Sequence, residues 1–330
     1  MTETEDRLAG QRMMIGFNGR ELNAELKFAI GTLQVGGLIL FARNIASPKQ
    51  LARLCTCAQA YAARCGLPPL FIAIDQEGGA VARLKWPFTE FPGRPPVRTL
   101  QDAEHFARVS AWELAAMGIN MNLAPVLDLA PAGMKSIMSA RSFGPDPGQV
   151  AALGCCIIRM LQEQGIMAVA KHFPGIGRTV LDSHEDLPLM DRSREELEQY
   201  ELLPFRAAIK QEAAGMMLSH ILYPKLDSRR PASLSSRIAK KLLREEMGYE
   251  GLIMTDDLDM GAIGKHYDIV TAVEEILLAD TDIILICHKG PNIGIAHGEI
   301  LRHIRENPQL RKAGEKSAER ILRMKKKYRV

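Results

Sequence analysis

Eight short apolar runs punctuate the chain at residues 13–19, 37–42, 70–75, 119–127, 166–172, 215–220, 252–256 and 283–288. Each ends in a polar or glycine-rich turn and gives way to a helix-like stretch. Residues 47–65 open on Ser-Pro, a helix start signal, and 103–117 and 149–164 are amphipathic. Residues 193–212 open on Ser193 and Glu196, the S-x-x-E capping box, and further helical stretches cover 236–247 and 272–279. Strands that alternate with helices imply βα units and a parallel sheet, because antiparallel neighbours need only short turns. Eight such units predict an α/β fold, a (β/α)8 TIM-type barrel; an open doubly wound sheet is the alternative. No low-complexity linker divides the chain, and the proline-rich 86–96 reads as a loop after the third strand, so one domain is expected over 1–330.

Bulk composition excludes several function classes. A hydrophobic fraction of 47% is ordinary for a globular protein, and a net charge of +3 on 330 residues implies neither nucleic acid nor a membrane surface as partner. The N-terminus MTETEDRLAGQ lacks the basic and apolar regions of a secretory signal. No apolar run reaches the roughly 18 residues needed to span a bilayer. The expected location is therefore the cytoplasm. The six cysteines show no CxxC spacing and read as reduced, mostly buried thiols. The tail, 311–330, reads as a basic amphipathic surface helix with a solvated lysine run.

In a parallel barrel, active-site groups sit at the C-terminal ends of strands. Asp75, Asp128, Lys171, His172, His220, Asp256, Asp257 and His288 all fall there. The segment 170–188, AKHFPGIGRTVLDSHEDLP, is too long and polar for a tight turn and carries Lys171, His172, Asp182 and His184. Asp182 and His184 are two residues apart, so the carboxylate can hold one ring nitrogen and leave the other free for proton transfer near neutral pH. An ordinary surface hydrogen bond would use the same pair. Asp256, nearest the strand in TDDLDMGAI, is the better candidate for chemistry; Asp257 and Asp259 are natural helix caps.

These segments are similar to those of the glycoside hydrolase family 3 β-N-acetylhexosaminidases of the bacterial cell-wall recycling type. The family pattern KHFPGHGDTxxDSHxxLP meets KHFPGIGRTVLDSHEDLP at 171–188. Further matches are GGLILFARNI at 36–45, IDQEGGAVARL at 74–84, NLAPVLDL at 122–129, ARSFGPDP at 140–147 and TDDLDMGAI at 255–263. The resemblance implies a single-domain barrel that releases terminal β-linked N-acetylglucosamine from a small saccharide or muropeptide, with retention and without cofactor or metal. It implies Asp256 as nucleophile, His184 as acid/base oriented by Asp182, and sugar contacts from Asp75, Arg83, Arg141, Lys171 and His172. Arginine and carboxylate are apt for sugar hydroxyls because charge-assisted hydrogen bonds are the strong ones.

Two positions depart from the pattern. Ile176 replaces the second histidine of the loop and Arg178 replaces an aspartate, which bears on loop packing and the leaving-group side. A phosphorylase, a metal-dependent hydrolase drawing on His172, His184, His220 and Asp256, and a sugar-binding barrel without catalysis are the competing readings. The sequence leaves the oligomeric state open.

Overall fold

Each apolar run contains a strand in the computed structural model, which describes residues 4–93, 95–328 and 330. The strands are β1 (Met13–Ile15), β2 (Gly37–Leu40), β3 (Phe71–Ile74), β4 (Met121–Asn122), β5 (Met167–Phe173), β6 (Gly215–Leu218), β7 (Leu252–Asp257) and β8 (Ile283–Ile286). All are parallel to their neighbours. β1 pairs with β2 through Met14 and Gly37 and with β8 through Met13 and Ile284, so the sheet closes into an eight-stranded barrel and the open-sheet alternative falls.

Strand alternation sorts the side chains. Met14, Ile39, Phe71, Ala73, Met121, Met167, Val169, Met217 and Met254 fill the barrel, where flexible methionines suit the irregular space. Met13, Ile15, Leu38, Leu40, Ile72, Ile74 and Ile253 face the helices. β4 is shorter than the run that predicts it. Pro125 has no N–H to give, yet the carbonyls of Ala124 and Pro125 still accept from Val169 and Lys171, so the parallel register continues to the strand end.

The helices start where the sequence places their caps. Ser47 accepts from Gln50 N ahead of Pro48–Arg64, and Ser193 and Glu196 form their capping box. The stretch 193–212 breaks into Arg194–Gln199 and Leu202–Lys210. Arg237–Glu246 is wound with i→i+5 bonds, as in Lys241 N–H to Ser236 C=O.

The tail corrects its sequence reading. Helix Pro308–Lys327 lies across the N-terminal mouth of the barrel, with Ile321, Met324 and Tyr328 joining the interior cluster. Lys325 is buried, not solvated. Its Nζ donates to Gln11 Oε1 at 2.7 Å and to Gly36 O at 3.1 Å, 4.8 Å from the Phe71 ring centroid.

Candidate active site

The opposite mouth of the barrel holds a cleft of about 550 Å³. Ile39, Leu123, Met217 and Leu285 line its apolar part. Asp75, Arg83, Arg141, Lys171, His172, His184 and Asp256 also line it, so every sugar-contact residue expected from sequence is gathered there with His184 and Asp256. Asp182 supports His184 from behind.

Asp75 follows β3, and Lys171 and His172 sit near the end of β5. Lys171 Nζ lies 2.8 Å from Asp75 Oδ1 and 2.6 Å from Glu77 Oε1. Arg83 reaches Asp75 Oδ2 at 3.2 Å, and Arg141 grips Glu77 with a two-pronged fork at 2.7 and 2.9 Å. Burial works to raise the Asp75 pKa, but the charges of Lys171 and Arg83 outweigh it and hold the carboxyl at about 2. Glu77 is lowered against the same burial by Lys171 and Arg141. This network presents ionised groups already fixed in place to a polar ligand.

Glu77 is the residue sequence reasoning missed. It lies in a short hairpin, Gln76–Gly78 with Val81–Ala82, past the strand end. The available signal was a carboxylate directly before Gly78 and Gly79, both of which adopt positive φ (82° and 57°) and turn the chain back over the cleft. Removing one member of a buried ion cluster leaves its partners uncompensated. Lys171→Met is therefore expected to lower unfolding free energy by about 3–5 kcal/mol, read as an earlier midpoint in guanidinium titration with an unchanged slope.

His172 is fixed by Asp128, which is fully buried and sits 2.6 Å from His172 Nδ1. Asp128 also accepts from the backbone N–H groups of His172 and Ile176, at 3.2 and 2.8 Å. Ile176 thus anchors the following loop through its backbone while its side chain is buried. Gly177 continues the anchor: a Cβ there would lie 1.4 Å from Leu129 O, so only glycine permits this approach. Arg178 turns away from the cleft. It pairs with buried Glu201 and lies over the Tyr200 ring. Both departures from the family pattern therefore serve loop packing.

Beyond this anchor the loop rises to Asp182 and His184. Asp182 Oδ1 accepts from His184 N at 2.9 Å and meets His184 Nδ1 at 2.8 Å. Burial opposes the ionised Asp182, but the two His184 contacts outweigh it and lower its pKa. With Nδ1–H directed to the carboxylate, the neutral ring leaves Nε2 as an acceptor.

Asp256 and Asp257 end β7. Asp257 Oδ1 is occupied by Cys287 N at 2.9 Å and Asp259 N at 3.1 Å, and burial together with Asp259 and Asp256 raises its pKa to about 6. Asp256 accepts from Asp257 N and is the less buried of the two. His220, another strand-end residue, lies beneath: its ring nitrogens meet Ser233 Oγ and Asp257 O at 2.7 and 2.9 Å. Asp257, Asp259 and His288 have spacing compatible with a metal ion, each offering a ligand atom within 4.8 Å of the others. None of the residues of the metal-hydrolase reading belongs to that group.

A barrel whose strand ends carry this carboxylate and histidine set is matched along residues 4–324 by the family model described as glycosyl hydrolase family 3 N terminal domain. The chain is 38% identical over 288 residues to a β-hexosaminidase of Nitrosomonas eutropha, covering 84% of this chain and 80% of that one. It is 34% identical to a β-hexosaminidase of Pseudomonas aeruginosa, covering 88% and 86%. Among solved structures, a family 3 β-N-acetylglucosaminidase from Paenibacillus superposes with a TM-score of 0.93 at 36% identity, covering 99% of this chain but only 63% of that one. A β-N-acetylhexosaminidase from Beutenbergia cavernae gives 0.90 at 27% identity, covering 98% and 99%. The chain belongs to glycosyl hydrolase family 3, and with these relatives it falls among the β-N-acetylhexosaminidases.

Proposed function

We propose that the chain is a retaining β-N-acetylglucosaminidase acting at the non-reducing end, with the barrel as its whole catalytic unit. The observation that carries this reading is one cleft lined by a strand-end carboxylate, Asp256, and by His184, whose Nδ1 is tied to Asp182 and whose Nε2 is left for proton transfer. Asp75, Lys171, Arg83, Arg141 and His172 supply charged and polar contacts for the sugar hydroxyls.

In the first half-reaction Asp256 attacks C1 and the C1–O bond to the aglycone breaks. Protonated His184 gives its Nε2 proton to the departing oxygen. In the second, neutral Nε2 takes a proton from water as that water attacks C1, and Asp256 leaves. Asp182 keeps the ring in one tautomer through both steps, and two displacements at C1 restore the β configuration.

Muropeptides from wall turnover, met in the cytoplasm, are the natural substrates we propose. The resemblance of the loop to wall-recycling enzymes and the six free cysteines support that setting, and among the described residues no helix is long and apolar enough to cross a membrane. The expected result with a chromogenic β-N-acetylglucosaminide is release of free β-sugar, seen by proton NMR before mutarotation. In phosphate buffer the product should still be free sugar. An initial α product, or a sugar 1-phosphate, would contradict the reading.

A further inference from the structure

The segment after Asp256 also holds the loop that bears His184. Gly261 N–H donates to His184 O at 3.2 Å, and Ala262 N–H donates to Ser183 O at 3.0 Å. These are first-turn amides of the helix Gly261–Gly264, which have no partner within their own helix. Ala262 and Ile263 are buried, so the helix is fixed to the core, and Met260 just before it lines the cleft. A second tie lies two residues beyond His184: Asp186 pairs with His266 and also accepts from Leu187 N at 2.8 Å. The His266 hydrogen bond, with the Leu187 N–H, lowers the Asp186 pKa.

Gly261 is not in the left-handed region, so its backbone would suit any residue. Space is the constraint: a Cβ would lie 2.6 Å from both His184 O and Glu185 O. Those are backbone atoms of the loop, and relieving the overlap moves His184 itself.

We propose that Gly261 and the His266–Asp186 pair are positioning residues for the acid/base. They tether its loop to the segment that carries the nucleophile and so set the reach of His184 Nε2 toward the leaving oxygen. This rests on the acid/base reading of His184. A displacement of about 1 Å costs up to 10²-fold where geometry carries the rate. Gly261→Ala should therefore lower kcat/KM about 10²-fold for a methylumbelliferyl or disaccharide substrate, whose departure needs a proton. It should change little with a dinitrophenyl glycoside, whose departure hardly does.

His266→Ala, a surface change that leaves the fold intact, should show the same selectivity at about two- to five-fold, the range of an exposed ion pair. His266→Gln, whose amide can still donate to Asp186, should recover most of that loss. His184→Ala is measured alongside, with melting curves for all variants. Selective loss in Gly261→Ala and His266→Ala, with rescue by His266→Gln, supports the tether. If His184→Ala is selective for poor leaving groups while the other variants lose activity equally on both substrates or not at all, the tether is overturned and the acid/base reading stands. If His184→Ala itself shows no selectivity, both fall.

Discussion

Asp256→Ala is expected to reduce hydrolysis of every β-N-acetylglucosaminide by about 10⁴–10⁶-fold, the scale reached when nucleophilic machinery is removed. The loss should be the same for good and poor leaving groups, because no covalent intermediate can form with either. Azide should restore part of the turnover with activated substrates and give the α-azide, since a single displacement now inverts C1. Asp257→Ala should behave differently. Its Oδ1 already accepts from the backbone N–H groups of Cys287 and Asp259. Removing it leaves the buried Cys287 amide unpaired, a stability cost of about 1–3 kcal/mol. The Asp257 variant should thus melt earlier while keeping much more activity. Kinetics and melting curves of the two variants separate chemistry from scaffold.

His184→Ala is expected to split the substrates by leaving group. Loss of a general acid/base costs about 10²–10⁴-fold where the proton is needed. Disaccharides and methylumbelliferyl glycosides should pay that cost in kcat/KM, and dinitrophenyl glycosides should show little change in glycosylation. Deglycosylation should slow for all of them, because water loses its base. Azide needs no base, so it should restore turnover and give the β-azide, the opposite anomer from Asp256→Ala. Asp182→Asn keeps the ring near its place but removes the charge that holds the imidazolium, and should show a milder form of the same split. Equal losses across leaving groups with no effect of azide would leave His184 a binding or structural residue.

The barrel was legible in the sequence because strand ends change chemistry abruptly. FIAID, MMLSH, LIMTDD and ILICH each pass from buried apolar residues to a polar or charged one within a residue or two. That pattern also located most of the cleft, since a parallel barrel puts these ends at one mouth. Glu77 stayed hidden because it belongs to a hairpin that folds back over the mouth, and no strand periodicity marks it. The role of His220 was not legible either: a strand-end histidine looks the same in sequence whether it faces a ligand or, as here, holds Ser233 and the Asp257 carbonyl from below. Lys325 misled by composition. A lysine in a run of three reads as solvated, but its four-carbon stem lets one amine reach inward to Gln11 and Gly36 while its neighbours stay outside. In sequence, Arg178 stands as a departure that bears on loop packing or on the leaving-group side, with nothing to decide between them. Its partner Glu201, 23 residues away, was needed to show that it belongs to the packing of the loop.

The most direct measurement is to trap the glycosyl-enzyme. A 5-fluoro N-acetylglucosaminyl fluoride slows both half-reactions while its good leaving group lets the covalent intermediate accumulate. Intact-mass spectrometry should then show the added sugar in stoichiometric amount, and peptide mapping should place it on the side chain of Asp256, with no adduct on the Asp256→Ala variant. An adduct on Asp257, or turnover of the reagent with no covalent species at any time, would contradict the assignment.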